Sequence, residues 1–417
     1  MALDRTQAPR SSPITKLNLS NPKISITSNG VQILELHDES TEVIYLEIVL
    51  ASGRWMEEPF GVGYYASKLL AEGTSKYSSA ELALAFEVMG AHLQIAPGLD
   101  HISVRLFALK KNFSKSFDLL QHIFQEANFP EKEFEMLRDI RFQEIKNQFA
   151  RNSQFATSKF QEALFGAKHP YGQISTVDNL KGITIDDVKT YAKNNLWTGP
   201  KILLVGNIKS EVDKVSNWIQ KLKIDHFRLP QHQLESSKSP ILINRQNSTQ
   251  ASVRLGSLTI NKHQADIHKL SLTNMLLGGF FGSRLMKNIR EKKGLTYGIY
   301  SQIAHLNNAS YLMVSAEVEK GNSEQVISEI QKEIKKLQSE PPAYSELEVV
   351  CNYARGKLLS SIDSTLSLAS IFKSQLLFGL TNDYQDKFLQ ELNEIKPQTI
   401  SEMASKYMNL DQEVVVA

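Results

Sequence analysis

One order of elements runs through the chain twice, and this constrains the fold more than any other feature of the 417-residue sequence. Strand-like runs come first (Ile24 to Thr27, Val31 to Leu36, Val43 to Leu50), the middle one alternating apolar and polar residues after the turn dipeptide Asn29-Gly30. A helix led by Gly61 and Gly63 follows, from about Tyr64 to Ala71, and then another from Ala80 to Met89. A hairpin crosses Pro97-Gly98, pairing Ala91 to Ala96 with His101 to Leu109. Helical patterns fill Ser114 to Glu126 and Glu131 to Ala150, and the apolar run Lys201 to Gly206 closes the first round. The second round repeats the order with strands Ile241 to Ile243 and Ala251 to Leu255 and a helix from Gln264 to Leu277. A glycine-rich stretch and a strand from Tyr311 to Val318 come next. Helices across Ser323 to Leu337, Ser345 to Ser361, Leu366 to Leu377 and Pro397 to Met408 precede a last strand, Glu413 to Ala417.

A chain of this length exceeds one comfortable core and suits two domains. The predicted fold is α+β: two homologous domains, each a mainly antiparallel sheet with helices packed on one face. The predicted divisions are a flexible polar lead-in over 1–22, a first domain over 23–209, a linker over 210–239 and a second domain over 240–417. The formal net charge of +2, without a basic run, points away from nucleic acid and anionic membrane surfaces. No apolar run reaches eighteen residues, so no membrane span is expected. The lead-in lacks the apolar core of a secretory signal, and Cys351 is the only cysteine; a cytoplasmic location is the expectation.

Gly278 to Ser301 carries the most distinctive residues. Gly278, Gly279 and Gly282 precede good helix formers from Ser283 to Arg290, and Gly294 stops them before a strand over Leu295 to Ser301. Arg290 and Tyr297 stand on either side of that stop, placed to converge as two hydrogen-bond donors. Read from the residues alone, they are equally a last-turn arginine and a sheet tyrosine.

The string Gly-Gly-x-x-x-Ser-Arg-Leu, followed by Ile-Arg-Glu-Lys-x-Gly-Leu-x-Tyr, resembles the second-half signature of the insulinase-like (pitrilysin-type) zinc metallopeptidases. His169-Pro170-Tyr171-Gly172 and Val205-Gly206 match that family's first-half pattern, so the likeness runs over nearly the whole chain from Lys23. The resemblance implies paired α+β domains that enclose a chamber with a second pair. It also implies that Arg290 and Tyr297 hold a substrate backbone beside a zinc ion carried by the other half of the chamber.

In catalytic members the helix after Gly61 carries His-x-x-Glu-His, two imidazoles one turn apart and a base for the attacking water. Here Tyr64 and Lys68 stand at the histidine positions and Ser67 at the glutamate position. A phenol and an ammonium are not zinc ligands at neutral pH, and a hydroxyl is too weak a base. None of the ten histidines form an i, i+4 pair to replace them. Glu144 matches the family's third ligand; the stripe Phe134, Leu137, Ile140, Glu144 predicts that it points inward, and Lys68 is its expected ion-pair partner.

Peptide hydrolysis in the family requires a metal, a base and donors that grip the substrate; only the donors persist here. The expectation is therefore a chain with no metal or cofactor of its own, the non-catalytic subunit of a heterodimer. A partner carrying His-x-x-Glu-His and zinc would cut the peptide, with Arg290 and Tyr297 acting in trans. In isolation a homodimer is possible. The alternative is a scaffold or peptide-binding protein of the same fold with no proteolytic role. A serine-lysine hydrolase is disfavoured because Ser67 and Lys68, adjacent on a helix, face different directions.

Overall fold

The computed structural model describes residues 14, 16–17, 19, 21–224, 230, 232–237, 240–246 and 248–417. The first sheet is built from β1 (Lys23–Ile26), β2 (Gln32–His37), β3 (Val43–Leu50), β4 (His92–Pro97), β5 (Ile102–Leu109) and β6 (Lys201–Gly206), in the order β1-β2-β6-β3-β5-β4. Its pairings are antiparallel except β2 with β6. The second sheet is built from β7 (Ile241–Ile243), β8 (Gln250–Thr259), β9 (Thr296–His305), β10 (Ser310–Glu319) and β11 (Gln412–Val416), in the order β7-β11-β8-β10-β9, with only β7 and β11 parallel.

Among the described residues the first half also supplies eight α-helices. They are α1 (Val62–Leu69), α2 (Ser79–Val88), α3 (Lys110–Glu126), α4 (Glu131–Ala150), α5 (Asn152–Phe165), α6 (Val177–Leu180), α7 (Ile185–Asn195) and α8 (Val212–Ile219). The second half supplies α9 (Ile267–Asn274), α10 (Ser323–Ser339), α11 (Tyr344–Ser360), α12 (Thr365–Phe378), α13 (Tyr384–Glu394) and α14 (Pro397–Tyr407). This is the α+β architecture expected, with most helices of each half on one face of its own sheet.

The opposite faces are covered as well, by an exchange of helices. Alternation along β3 sends Ile44, Leu46, Ile48 and Leu50 into the core of the first half, while Val49 joins Leu34, Leu36, Leu203 and Val205 on the other face. That face packs against Ala369, Phe372 and Leu376 of α12, a helix of the second half. In return α5 lies on the outer face of the second sheet, where Ala156, Phe160 and Leu164 meet Tyr311, Met313, Val414 and Val416. Gly256 permits this approach, since a Cβ there would lie 2.6 Å from the Phe160 ring. Two buried faces explain why β6 reads as an unbroken apolar run.

The segment expected as linker behaves differently along its length. Val215, Trp218 and Ile219 of α8 are buried in the first core, and Asn29 Nδ2 donates to the carbonyls of Ile219 (2.8 Å) and Leu222 (3.1 Å). The rest lies partly outside the described residues, as does most of the expected lead-in. Leu17 within that lead-in is buried against the second core, its N–H donating to Asp386. At the junction of the halves the β4–β5 turn meets the β9–β10 turn: Asn307 N–H donates to Asp100 Oδ2 (3.0 Å), and Asp100 also accepts from Tyr171.

Candidate functional site: a degenerate metal centre and an exposed edge strand

Gly61 sits at the N-terminal end of α1, and its N–H donates to Glu57 (2.8 Å). Within α1 the three key positions have separate fates. Ser67 is fully buried and its hydroxyl donates back to the Tyr64 carbonyl of its own helix (2.9 Å). Lys68 turns toward the edge strand β4, its ammonium donating to the Ile95 carbonyl (3.4 Å). Tyr64 alone reaches Glu144, donating to Oε2 (3.2 Å). Burial, together with the negative charge of Glu144, pushes its phenol up to about 12.

The expected Lys68–Glu144 ion pair is not formed. Glu144 pairs instead with Arg141 (3.0 Å), three residues earlier on α4, and Arg141 also stacks over the Tyr64 ring at 4.4 Å. Nor does Glu144 point inward: its side chain is 45% exposed, and Ile140 of the same stripe is exposed too. The face of α4 that is buried carries Phe134 and Ile145. Sequence reasoning overlooked Arg141, although its i, i+3 spacing from Glu144 was readable.

This donor set does not suit a divalent metal. It offers a phenol held protonated, a sequestered hydroxyl, an ammonium and one carboxylate already paired with a guanidinium. Among the described residues no three of His, Cys, Asp and Glu come together as a ligand group.

The second constellation lies on the other sheet. Between α9 and β9 the chain makes two π-helical turns, Met275–Gly279 and Met286–Lys292, where a regular helix was expected. Arg290 is on the second, its guanidinium 4.8 Å over the Phe281 ring. That turn is braced from α10, where Glu329 accepts from Lys293 (2.6 Å) and from Asn288 (3.2 Å), and Glu333 also accepts from Asn288 (2.8 Å). Gly294, at φ +64°, reverses the chain so that the Leu295 N–H donates to the Ile289 carbonyl (3.0 Å).

Tyr297 follows at the start of β9, the edge strand, and is 89% exposed. The register explains its exposure: Gly298 pairs with Glu317 and Thr296 with Val318, so Tyr297 is the extra residue of a β-bulge. Thr296 fastens the bulge, its hydroxyl donating to the Glu317 carbonyl (2.6 Å) and accepting from Gly298 N–H (3.1 Å). No hydrogen bond joins Arg290 to Tyr297 among the described residues; the two flank the Gly294 turn.

The two constellations lie on different sheets. Tyr64 lies beside the β4–β5 turn, which touches the β9–β10 turn, while Tyr297 is at the opposite end of β9. Eight residue steps along β9 lead from Tyr297 to His305, about 26 Å at ~3.3 Å per step.

Comparison with known proteins follows the same division. Residues 32–174 match the family model described as insulinase (peptidase family M16), and residues 182–352 match the one described as peptidase M16 inactive domain. Tyr64, Ser67, Lys68 and Glu144 fall in the first match, Arg290 and Tyr297 in the second. A Bacillus subtilis protein named "Uncharacterized zinc protease YmxG" is 23% identical over 395 residues, 92% of this chain and 95% of that protein. The "Non-peptidase homolog YmxG" of Helicobacter pylori is 23% identical over 259 residues, 59% of each. In fold, the chain is similar to the crystal structure of a peptidase M16 inactive domain from Pseudomonas fluorescens, with a TM-score of 0.86 at 22% identity over 95% of this chain and 98% of that one.

Proposed function

The chain belongs to the insulinase-like M16 peptidase family, as a homologue without that family's ligand set, and we propose that it serves as the non-catalytic subunit of a two-chain zinc peptidase. A partner bearing His-x-x-Glu-His supplies the metal and base, and Arg290 and Tyr297 reach the substrate in trans. The peptide substrate adds as a strand to a sheet edge in the shared chamber.

The observation that carries this proposal is Tyr297. A tyrosine 89% exposed on an edge-strand bulge contributes little packing energy, yet its position is fixed by Thr296 and by the braced turn before it. It also stands at the end of β9 away from the β9–β10 turn, whereas the Tyr64 site adjoins the β4–β5 turn that the β9–β10 turn touches. A donor presented in this way suits a substrate held by another subunit. The rival, a scaffold or peptide-binding protein of this fold, draws on the name given to the Helicobacter pylori relative. As a pure scaffold the chain would leave the exposed phenol without a task.

The test is peptide hydrolysis with zinc present, by the purified chain and by the chain together with a His-x-x-Glu-His subunit co-purified from its source. Product is expected only from the pair. Zinc-dependent cleavage by the chain alone would falsify the proposal, and a stable pair with no hydrolytic activity would favour the scaffold.

A further inference from the structure

A cavity of about 440 Å³ opens between α4, α5 and the 173–175 segment, and it shares Arg54, Arg141 and Ser175 with a smaller one of about 280 Å³ that leads to Tyr64. Three guanidiniums line the larger cavity, those of Arg54, Arg141 and Arg254, together with glutamines and hydroxyls. Among the described residues none of its lining is acidic.

The three arginines are differently committed. Arg254 is fully engaged, donating to Thr157 Oγ1 (3.0 Å), the Ser153 carbonyl (2.9 Å) and Glu317 (2.8 Å), and is a fixed part of the wall. Arg54 donates to the Gln173 carbonyl (3.0 Å) and makes no salt bridge among the described residues. Glu57 is its nearby carboxyl, but burial pushes that group up and its oxygen already accepts from Gly61. Arg141 spends one arm on Glu144, while its Nε is buried without a partner. Burial lowers the Arg54 guanidinium most, the charge of Glu57 raises it and the charge of Arg141 lowers it again, so two like charges share the lining of one cavity partly out of water.

Glu57 and Glu144 offset part of the cost of that arrangement, and an anion in the acid-free cavity would offset more of it. We propose that this cavity binds a small carboxylate-bearing ligand whose carboxylate bridges Arg54 and the Nε edge of Arg141. The forked donors of a guanidinium match a carboxylate, and a space of this size accepts a few residues or a small organic acid. The source is either the C-terminus of a peptide or a free dicarboxylic acid. The site does not depend on a catalytic partner.

The experiment uses the full chain in calorimetric titrations with glutarate, with trialanine and with trialanine amide. Saturable binding of one acid or both is expected, weakened about tenfold or more by Arg141→Gln and by Arg54→Gln. Trialanine without glutarate identifies a peptide terminus, and glutarate without trialanine identifies a free acid. Arg141→Lys, which keeps the charge and loses the fork, is expected to weaken binding while thermal unfolding stays cooperative; it serves if either glutamine variant fails to fold. Three results overturn the proposal: no saturable binding of either acid up to about 10 mM, the amide binding as well as the acid, or affinity unchanged in the folded variants.

Discussion

Replacing Phe372 with alanine tests the helix exchange, because this ring belongs by sequence to the second half and by packing to the first. It is 1% exposed and sits with Leu34, Leu36, Val49, Leu203 and Val205 on the outer face of the first sheet. Removing a buried phenyl costs roughly 3–5 kcal/mol from lost transfer energy and the cavity left behind. The lower end applies here, since the cluster is small and α12 keeps other anchors, among them the Thr365 hydroxyl donating to Asp38. The Lys201 ammonium also donates to the Leu376 carbonyl (2.6 Å), and Lys373 pairs with Glu47. About 3 kcal/mol is roughly a hundredfold in an opening equilibrium. Hydrogen exchange followed by mass spectrometry should therefore show β2 and β6 losing about a hundredfold in protection, with α10 and α14 much less affected. If the loss is confined to the helices of the second half, α12 does not cover the first sheet and the exchange is wrong.

Three further outcomes follow from the same contacts. Lys373→Ala should lower the urea midpoint by an amount equivalent to about 1–3 kcal/mol, less than a fully orphaned charge costs because Arg105 (2.9 Å) still donates to Glu47, which is 1% exposed. Burial raises the Glu47 carboxyl, but the bonds from Lys373 and Tyr45 outweigh it and hold the group below its usual value, so its contribution is complete above the ordinary carboxylate range and fades on acidification; the variant should flatten that acid slope. Glu329 is held down to about 2 by its bonds from Lys293 and Lys332, which means stability present above pH 4.5 and lost as the pH falls toward 2; Glu329→Gln should erase this loss in thermal melts taken across that window. Thr296→Val should cost only about 1 kcal/mol in a denaturation curve, yet weaken the activity of the proposed two-chain enzyme by loosening the bulge beneath Tyr297.

Much of the fold was legible because strands alternate and helices punctuate themselves. Gly61, the hairpin at Pro97-Gly98 and Pro397 at the first position of α14 all mark boundaries close to those observed. The exchanged helices were not legible as such. An amphipathic pattern tells that a face is buried, not which sheet buries it, so α12 reads as a helix of its own half; α5, rich in Ser, Thr and Gln, was not recognised at all. The degenerate site was readable as a loss of ligands, since that depends on residue type alone. Its replacement bonds were not, because Lys68 had a nearer acceptor on β4 and Glu144 a nearer cation on its own helix. The bulge at Tyr297 depends on pairing with β10, which no local pattern encodes.

The most direct measurement is kcat/KM of the proposed two-chain enzyme carrying Tyr297→Phe, with assembly checked by gel filtration. A phenol that donates to the transition state in trans predicts a fall of about a hundredfold, in line with the loss of one oxyanion donor, and an unchanged complex. A Tyr297→Phe enzyme within about twofold of the parent would contradict the assignment, leaving the exposed tyrosine as surface only.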